Sequence, residues 1–308
     1  MLTALCLHPS LDKSARLDAF DPDAPNRIQV DRLDVGGKGV NVARAAQALG
    51  ADVRLLGFDF DGEPVARAME AEKVPCQLVA VRGRLRTNLK IREQATGRTI
   101  EINEQGTPVD ESALSALEAL LFSALRPGDW ASLSGSLPPG VDPGYYAALC
   151  EKLRAAGCFA AVDCDGDALR AAVSAKPALI KPNAGEFAAL TGADPGDDEA
   201  AIAACRALIA RGVGMVCLSR GGDGALLVNR DGAWRCPAAN VPVRGAQGAG
   251  DSLLAGLLTA FQRGMTPGDA LRFGCAAAAA SVMRPGTLLC QRSDVSALLP
   301  SLTVTALT

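Results

Sequence analysis

Short apolar runs alternate with amphipathic stretches of helical period along most of this chain, and no other feature limits its fold as tightly. "LTALCL" (Leu2–Leu7) has the length and content of a buried strand. "KGVNVARAAQALG" follows it, with Val42, Ala45, Ala46 and Leu49 on one helical face and Gly50 placed as a stop. "VRLLGF", "WASLSG", "FAAVD", "ALIKP" and "MVCLS" repeat the strand signal. "GEPVARAMEAE", "PGYYAALCEKLRAAG", "DDEAAIAACRALIARG" and "DSLLAGLLTAFQRG" repeat the helical one. Such alternation builds βαβ units and a mostly parallel sheet with helices on both faces, so the expected class is α/β, a three-layer α/β/α arrangement. Ligands of such sheets bind at the carboxyl ends of the strands.

Two segments break the rhythm, roughly residues 13–34 and 77–103. In the second, "QLVAVRGRLRTNLKIREQATGRTIEIN", strands follow one another through a glycine-containing turn with no helix between them. A small antiparallel β lid on the main sheet is expected, and its open edges need a cover, either substrate or a second subunit. No repeat, low-complexity tract or linker divides the 308 residues, so the chain reads as one domain carrying this lid.

Composition narrows the function. The net charge of −3 supplies no basic stripe for nucleic acid. There is one histidine, His8, and none of the ten cysteines forms a CxxC pair, so a zinc site lacks its ligands. The cysteines sit in apolar surroundings and read as small buried residues of a reducing compartment. No stretch approaches the ~20 apolar residues of a membrane span and the N-terminus has no basic leader, so no membrane partner and a cytoplasmic location are expected.

The chemistry-bearing stretches lie where these strands end. "GAQGAGDSLLAG" (Gly245–Gly256) is a glycine-rich turn running into an apolar helix past one acid, Asp251. Bare amides at a helix N-terminus hold anions, and Gly248, Ala249 and Gly250 leave that backbone open to close approach. Asp251 either caps the helix or stands beside a bound phosphate, taking a proton from an attacking hydroxyl. "DVGGKGVNVAR" repeats the arrangement: Gly37 opens the backbone to a polyhydroxy ligand, Lys38 meets a negative group, and Asn41 bonds hydroxyls, although a plain glycine turn has the same pattern. It is not a nucleotide P-loop, because Arg32 and Gly39 stand where that motif has Gly and Ser or Thr. "SLDKS" sets Asp12 just past the first strand, where a dinucleotide fold would carry GxGxxG.

In "RLRTNLK", Arg84, Arg86, Asn88 and Lys90 alternate onto one face of a strand, suiting a phosphorylated substrate or a charged solvent edge. "IKPNAGEF" places Asn183 and Glu186 three apart at a helix start, as a capping box or as a water-mediated Mg²⁺ contact. "SRGGDGAL" lies against a nucleotide or forms a hairpin, and "SLSGSLPPG" offers Ser136 and glycine amides at another strand end.

Taken in order, "GGKGVNVAR", "RTNLKI", "SGSLPPG", "KPNAGE" and "GAGDSLLAG" resemble the motifs of the PfkB, or ribokinase-like, carbohydrate kinases. The likeness runs from "LHPSLD" to "RPGTLLCQRSD" and is strongest to the sugar-phosphate branch: 1-phosphofructokinases, tagatose-6-phosphate kinases and minor 6-phosphofructokinases. It implies a ribokinase-like fold, ATP and Mg²⁺ as cofactors, and phosphoryl transfer to a ketose phosphate. By that resemblance Asp251 is the catalytic base, and Gly248, Ala249 and Gly250 form the anion hole. Asp12, Gly37, Lys38, Asn41 and Ser136 contact the sugar, and Arg86 and Lys90 hold its existing phosphate. Lys181, Asn183, Ser219, Gly221, Gly224 and Gly245 lie on the nucleotide side, and Glu186 reaches the metal through water. The lid of the family commonly forms a homodimer.

"RTNLKI" with "TIEIN" favours fructose 1-phosphate, phosphorylated at O6, whereas "GTLLC" resembles the minor 6-phosphofructokinases. Tagatose 6-phosphate, fructose 6-phosphate and a non-catalytic sugar-phosphate-binding regulator are the alternatives. One departure stands out. The family has Thr-Val before Gly-Ala-Gly-Asp where this chain has Ala246-Gln247, which removes a hydroxyl from the anion loop and leaves the amides in place.

Overall fold

The computed structural model describes residues 1–307. The chain opens with β1 (Leu2–Cys6), β2 (Ser10–Leu17), β3 (Gln29–Gly36), α1 (Lys38–Ala48), β4 (Val53–Asp59), α2 (Pro64–Ala71), β5 (Cys76–Ala80), β6 (Arg86–Glu93) and β7 (Thr99–Asn103). It continues through α3 (Glu111–Ala124), β8 (Trp130–Ser134), α4 (Tyr145–Ala155), β9 (Phe159–Asp163), α5 (Gly166–Ser174), β10 (Leu179–Ile180), α6 (Ala184–Thr191), α7 (Asp198–Ala210) and β11 (Met215–Ser219). It closes with β12 (Ala225–Asn229), β13 (Ala233–Cys236), α8 (Ala249–Gln262), α9 (Pro267–Val282), α10 (Arg292–Leu298) and β14 (Thr305–Leu307).

Ten strands form the main sheet in the order β14–β13–β12–β11–β10–β9–β8–β1–β4–β5. From β5 to β11 every pair is parallel, as the βαβ alternation requires. The turn from Ser219 to Ala225 is too short for a crossover, so β12 adds antiparallel at that edge, and β13 and β14 pair antiparallel beyond it. Leu2, Ala4 and Cys6 of β1 pack with the core that includes α1, α8 and α9, while Leu5 packs with the core that includes α3 to α7. Helix α8 is buried from Asp251 to Ala260, which is why its sequence is apolar all round.

The lid is a four-stranded sheet in the order β3–β2–β6–β7, with β2–β3 and β6–β7 antiparallel and β2–β6 parallel. The segment 77–103 divides between the two sheets. β5 follows α2 and pairs parallel with β4, completing a βαβ unit of the main sheet, so this part of the lid starts at Arg86. The other part runs from Ser10 to Gly36, wider than the 13–34 read from the sequence.

Cross-strand partners share a face, so the register sorts the lid into two surfaces. One carries the line Asp34–Asp12–Asn88–Asn103, and the other the line Leu33–Lys13–Leu89–Ile102. All ten cysteines are unpaired, and all but Cys76 are buried. No described helix is long and apolar enough to cross a membrane.

Candidate active site

Helix α8 starts at a left-handed residue, Gly248 (φ 71°), where a Cβ would overlap Leu289. Only glycine suits both conditions. Gly248, Ala249, Gly250 and Asp251 therefore present main chain to one part of a cleft of about 820 Å³. Asp251 does not cap the helix. Its Oδ2 instead accepts a 2.8 Å hydrogen bond from Nδ2 of Asn41 on α1, and the residue is 7% exposed. Burial and the neighbouring Asp163 carboxylate push Asp251 up to about 6, against the pull of Asn41, Lys181 and Lys38. A carboxylate poised near neutrality at the mouth of an amide nest suits a general base better than a cap.

Asp163 was not singled out from the sequence. It ends β9 with its side chain fully buried and forms ion pairs with Lys38 Nζ at 2.9 Å and Lys181 Nζ at 3.0 Å. Burial works against its charge, but the two ammonium groups outweigh it and hold the carboxyl below the usual range. Lys38 is raised in turn: burial opposes its charge, and Asp163, Glu186 and Asp251 overcome that. The signal for Asp163 was present, since "FAAVD" ends a strand with an acid at the carboxyl edge where the site is built.

Asn183, which lines the cleft, and Glu186 form the capping box of α6, with bonds of 2.9 and 2.8 Å. That reading of the pair from the sequence holds. The other oxygen of Glu186 lies 3.9 Å from Lys38 Nζ. Lys181, Asn183, Ser219, Gly221 and Gly224 line the same cleft, with Lys181 Nζ 3.3 Å from where Gly250 would carry a Cβ, and Ala238, Ala239, Val241 and Val243 add apolar lining. Ala246 lines the cleft as well. Gly245 packs instead against the carbonyls of Arg284 and Gly286, each 3.1 Å from where its Cβ would be.

The lid supplies the remaining polar groups. Asp12, the third residue of β2, accepts from Ser10 Oγ at 2.8 Å and from Asn88 Nδ2 at 3.0 Å. Arg86 donates to the carbonyls of His8 (3.1 Å) and Pro9 (3.3 Å) and to Asn88 Oδ1 (3.4 Å). His8 Nδ1 lies 2.9 Å from Ser136 Oγ, and burial with the Arg86 charge pushes the ring down to about 4, so it is neutral. Lys90 shares the face of Arg86 but lies four residues on, roughly 13 Å along the strand, and pairs with Glu101 at 3.5 Å. The structure thus gathers Arg86 with Asp12 and Asn88 and leaves Lys90 toward the tip of the lid.

The family model for pfkB carbohydrate kinases matches residues 9–294. The chain belongs to the PfkB family. Its PfkB relatives include a 1-phosphofructokinase of Rhodobacter capsulatus, 33% identical over 99% of this chain and 98% of its own. Another 1-phosphofructokinase, from Xanthomonas campestris, is 37% identical over 83% of this chain and 82% of its own. Among solved structures, phosphofructokinase-2 of Escherichia coli in complex with substrates and products superposes with a TM-score of 0.91 at 27% identity, covering 98% of both chains. The PfkB fold read from the sequence, a large mostly parallel sheet with a small second one, is therefore the fold observed.

Proposed function

We propose that this PfkB kinase transfers the γ-phosphoryl group of ATP to O6 of fructose 1-phosphate, yielding fructose 1,6-bisphosphate and ADP. The observation that carries the reading is the placement of Asp251: a buried carboxylate raised to about 6, next to the amides of Gly248–Gly250 and tied to Asn41. Asp251 accepts the O6 proton as O6 forms its bond to the γ-phosphorus and the bond to the β-phosphate oxygen breaks. The amides of Gly248–Gly250, with Lys181 and Lys38 nearby, offset the charge on the transferring group. Relatives named 1-phosphofructokinase along the whole chain support fructose 1-phosphate over its isomers.

The cleft has the volume for ATP; Val241 and Val243 offer apolar contact for the purine and Lys181 a charge for the phosphates. Glu186, whose Oε1 is free of the capping box, would hold Mg²⁺ through water. When bound, Mg²⁺ neutralises charge on the phosphates. A homodimer through the lid follows from its apolar face, where Val30, Leu33 and Ile102 are 47%, 54% and 56% exposed. Unpaired cysteines and phosphorylated substrates support a cytoplasmic location.

The test is ADP release from MgATP with fructose 1-phosphate, fructose 6-phosphate and tagatose 6-phosphate, with free fructose as control. Fructose 1-phosphate should give the highest kcat/KM. Preference for another of the three moves the substrate assignment, and no release with any of them removes the kinase reading. Arg86→Ala should raise KM for fructose 1-phosphate roughly ten- to a hundredfold, the worth of one charged hydrogen bond. KM for free fructose should stay within a factor of two; an equal loss on both would show that Arg86 only braces the carbonyls of His8 and Pro9.

A further inference from the structure

Asp34 and Thr287 are 253 residues apart in sequence and share a hydrogen bond of 2.5 Å, Thr287 Oγ1 donating to Asp34 Oδ2. Arg32 Nε donates to the same oxygen. Asp34 lies on β3 directly across from Asp12 of β2, on the lid face that carries Asn88. A displacement of Asp12 therefore moves Asp34 with it, because the two are register partners in a paired ladder.

Thr287 belongs to the connection between α9 and α10, and that connection is held firmly. Arg284 is paired with Asp294 at 2.8 Å. The carbonyl of Val282 accepts from the amides of Arg244 (2.7 Å) and Gly245 (3.2 Å). Leu289, two residues after Thr287, fills the space where Gly248 would carry a Cβ. One short path thus runs from the sugar-side acid through Asp34, Thr287 and Leu289 to the residue that starts α8 and opens the anion loop.

We infer that Asp34 and Thr287 are a positioning pair through which the lid sets the geometry of the anion loop at Gly248–Gly250. The inference rests on the kinase reading above. Neither residue needs to touch substrate. The pair is formed only when β3 lies against the α9–α10 connection, so the alignment of the Gly248 amides depends on the lid being seated. A ligand that holds Asp12 seats the lid and aligns the loop together.

The test uses Thr287→Val, Asp34→Asn and the double variant in the full-length enzyme, assayed with fructose 1-phosphate or with whichever acceptor the wild type prefers. Each single variant should lower kcat with the preferred acceptor roughly tenfold or more, the scale of a misplacement remote from the chemistry. KM for ATP and the melting temperature should stay unchanged. The double variant should be no worse than either single one, as expected of two groups acting as a unit. Thr287→Ser, which keeps the hydroxyl, should restore the wild-type kcat.

Penalties that multiply, or loss of ATP and acceptor affinity in equal measure, would overturn the coupling and leave an ordinary structural bond. If the wild type turns over no acceptor, the kinase reading fails, and amide exchange decides the inference separately. Thr287→Val should then speed exchange in residues 32–36 and 286–289 and at Gly248–Gly250 together. Faster exchange confined to the first two segments would overturn it.

Discussion

Asp251→Asn is expected to bind its substrates normally, to lose turnover, and to be more stable than the wild type. The loss in kcat should be roughly a hundred- to ten-thousandfold, the range of a positioned general base. KM should change little, because an asparagine oxygen still accepts from Asn41 Nδ2. In the wild type Asp251 titrates at about 6, so kcat/KM should fall below that pH as the base is protonated. The stability gain has the opposite cause. Folding raises this carboxyl from its ordinary 3.8 to about 6, so keeping it ionised costs stability above that range and nothing below it. The shift corresponds to roughly 2–3 kcal/mol. Thermal melts should therefore show the asparagine variant ahead at pH 8, with the gap closing as pH falls through 6 toward 4. Wild-type turnover in the variant would remove Asp251 from the role, and a gain independent of pH would mean that its charge is not what strains the fold.

The same residue shows what the sequence made legible. A glycine turn, one acid and an apolar helix are plain in "GAQGAGDSLLAG", and on that segment alone a cap is the simpler reading; the bond from Asn41 to Asp251 and the missing cap bond speak against it. That contact joins residues 210 apart, and no local pattern encodes it. Asn183 and Glu186 were legible in the other direction, because a capping box is a local motif with its partners three residues apart. The parallel sheet could be read from period alone, whereas the transfer of β5 to the main sheet could not, since "QLVAV" alternates like any edge strand and only its pairing with β4 decides its place. Arg86 and Lys90 share the face that strand alternation predicts. Their separation along β6 and the pairing of Lys90 with Glu101 become evident only when β6 and β7 are in register.

Removing Asp163 should have the second large effect, and it tests the electrostatics of the whole site. This carboxylate is fully buried between Lys38 and Lys181. Asp163→Asn leaves the buried Lys181 without its carboxylate partner and Lys38 with only Glu186 at 3.9 Å, and breaking a buried pair such as Asp163–Lys181 costs roughly 3–5 kcal/mol. The melting temperature of the ligand-free protein should fall by on the order of 10 °C. Because the folded protein holds Asp163 below its ordinary carboxyl range, the stabilisation is present at neutral pH and is lost as pH falls through that depressed range. The gap between the variant and the wild type should narrow there. Asp163 is also the charge that, after burial, does most to raise Asp251, so its removal should move the acid limb of kcat/KM to lower pH. The less compensated lysines should in turn meet the phosphates of ATP more strongly, so that ATP raises the melting temperature of the variant by more than it raises that of the wild type. An unchanged melt together with an unmoved acid limb would mean that Lys38 and Lys181 find other partners and that Asp163 does not organise the site. Two cations held by one buried acid thus form a charge cluster at the carboxyl ends of the strands, and these two measurements decide whether that cluster organises the site.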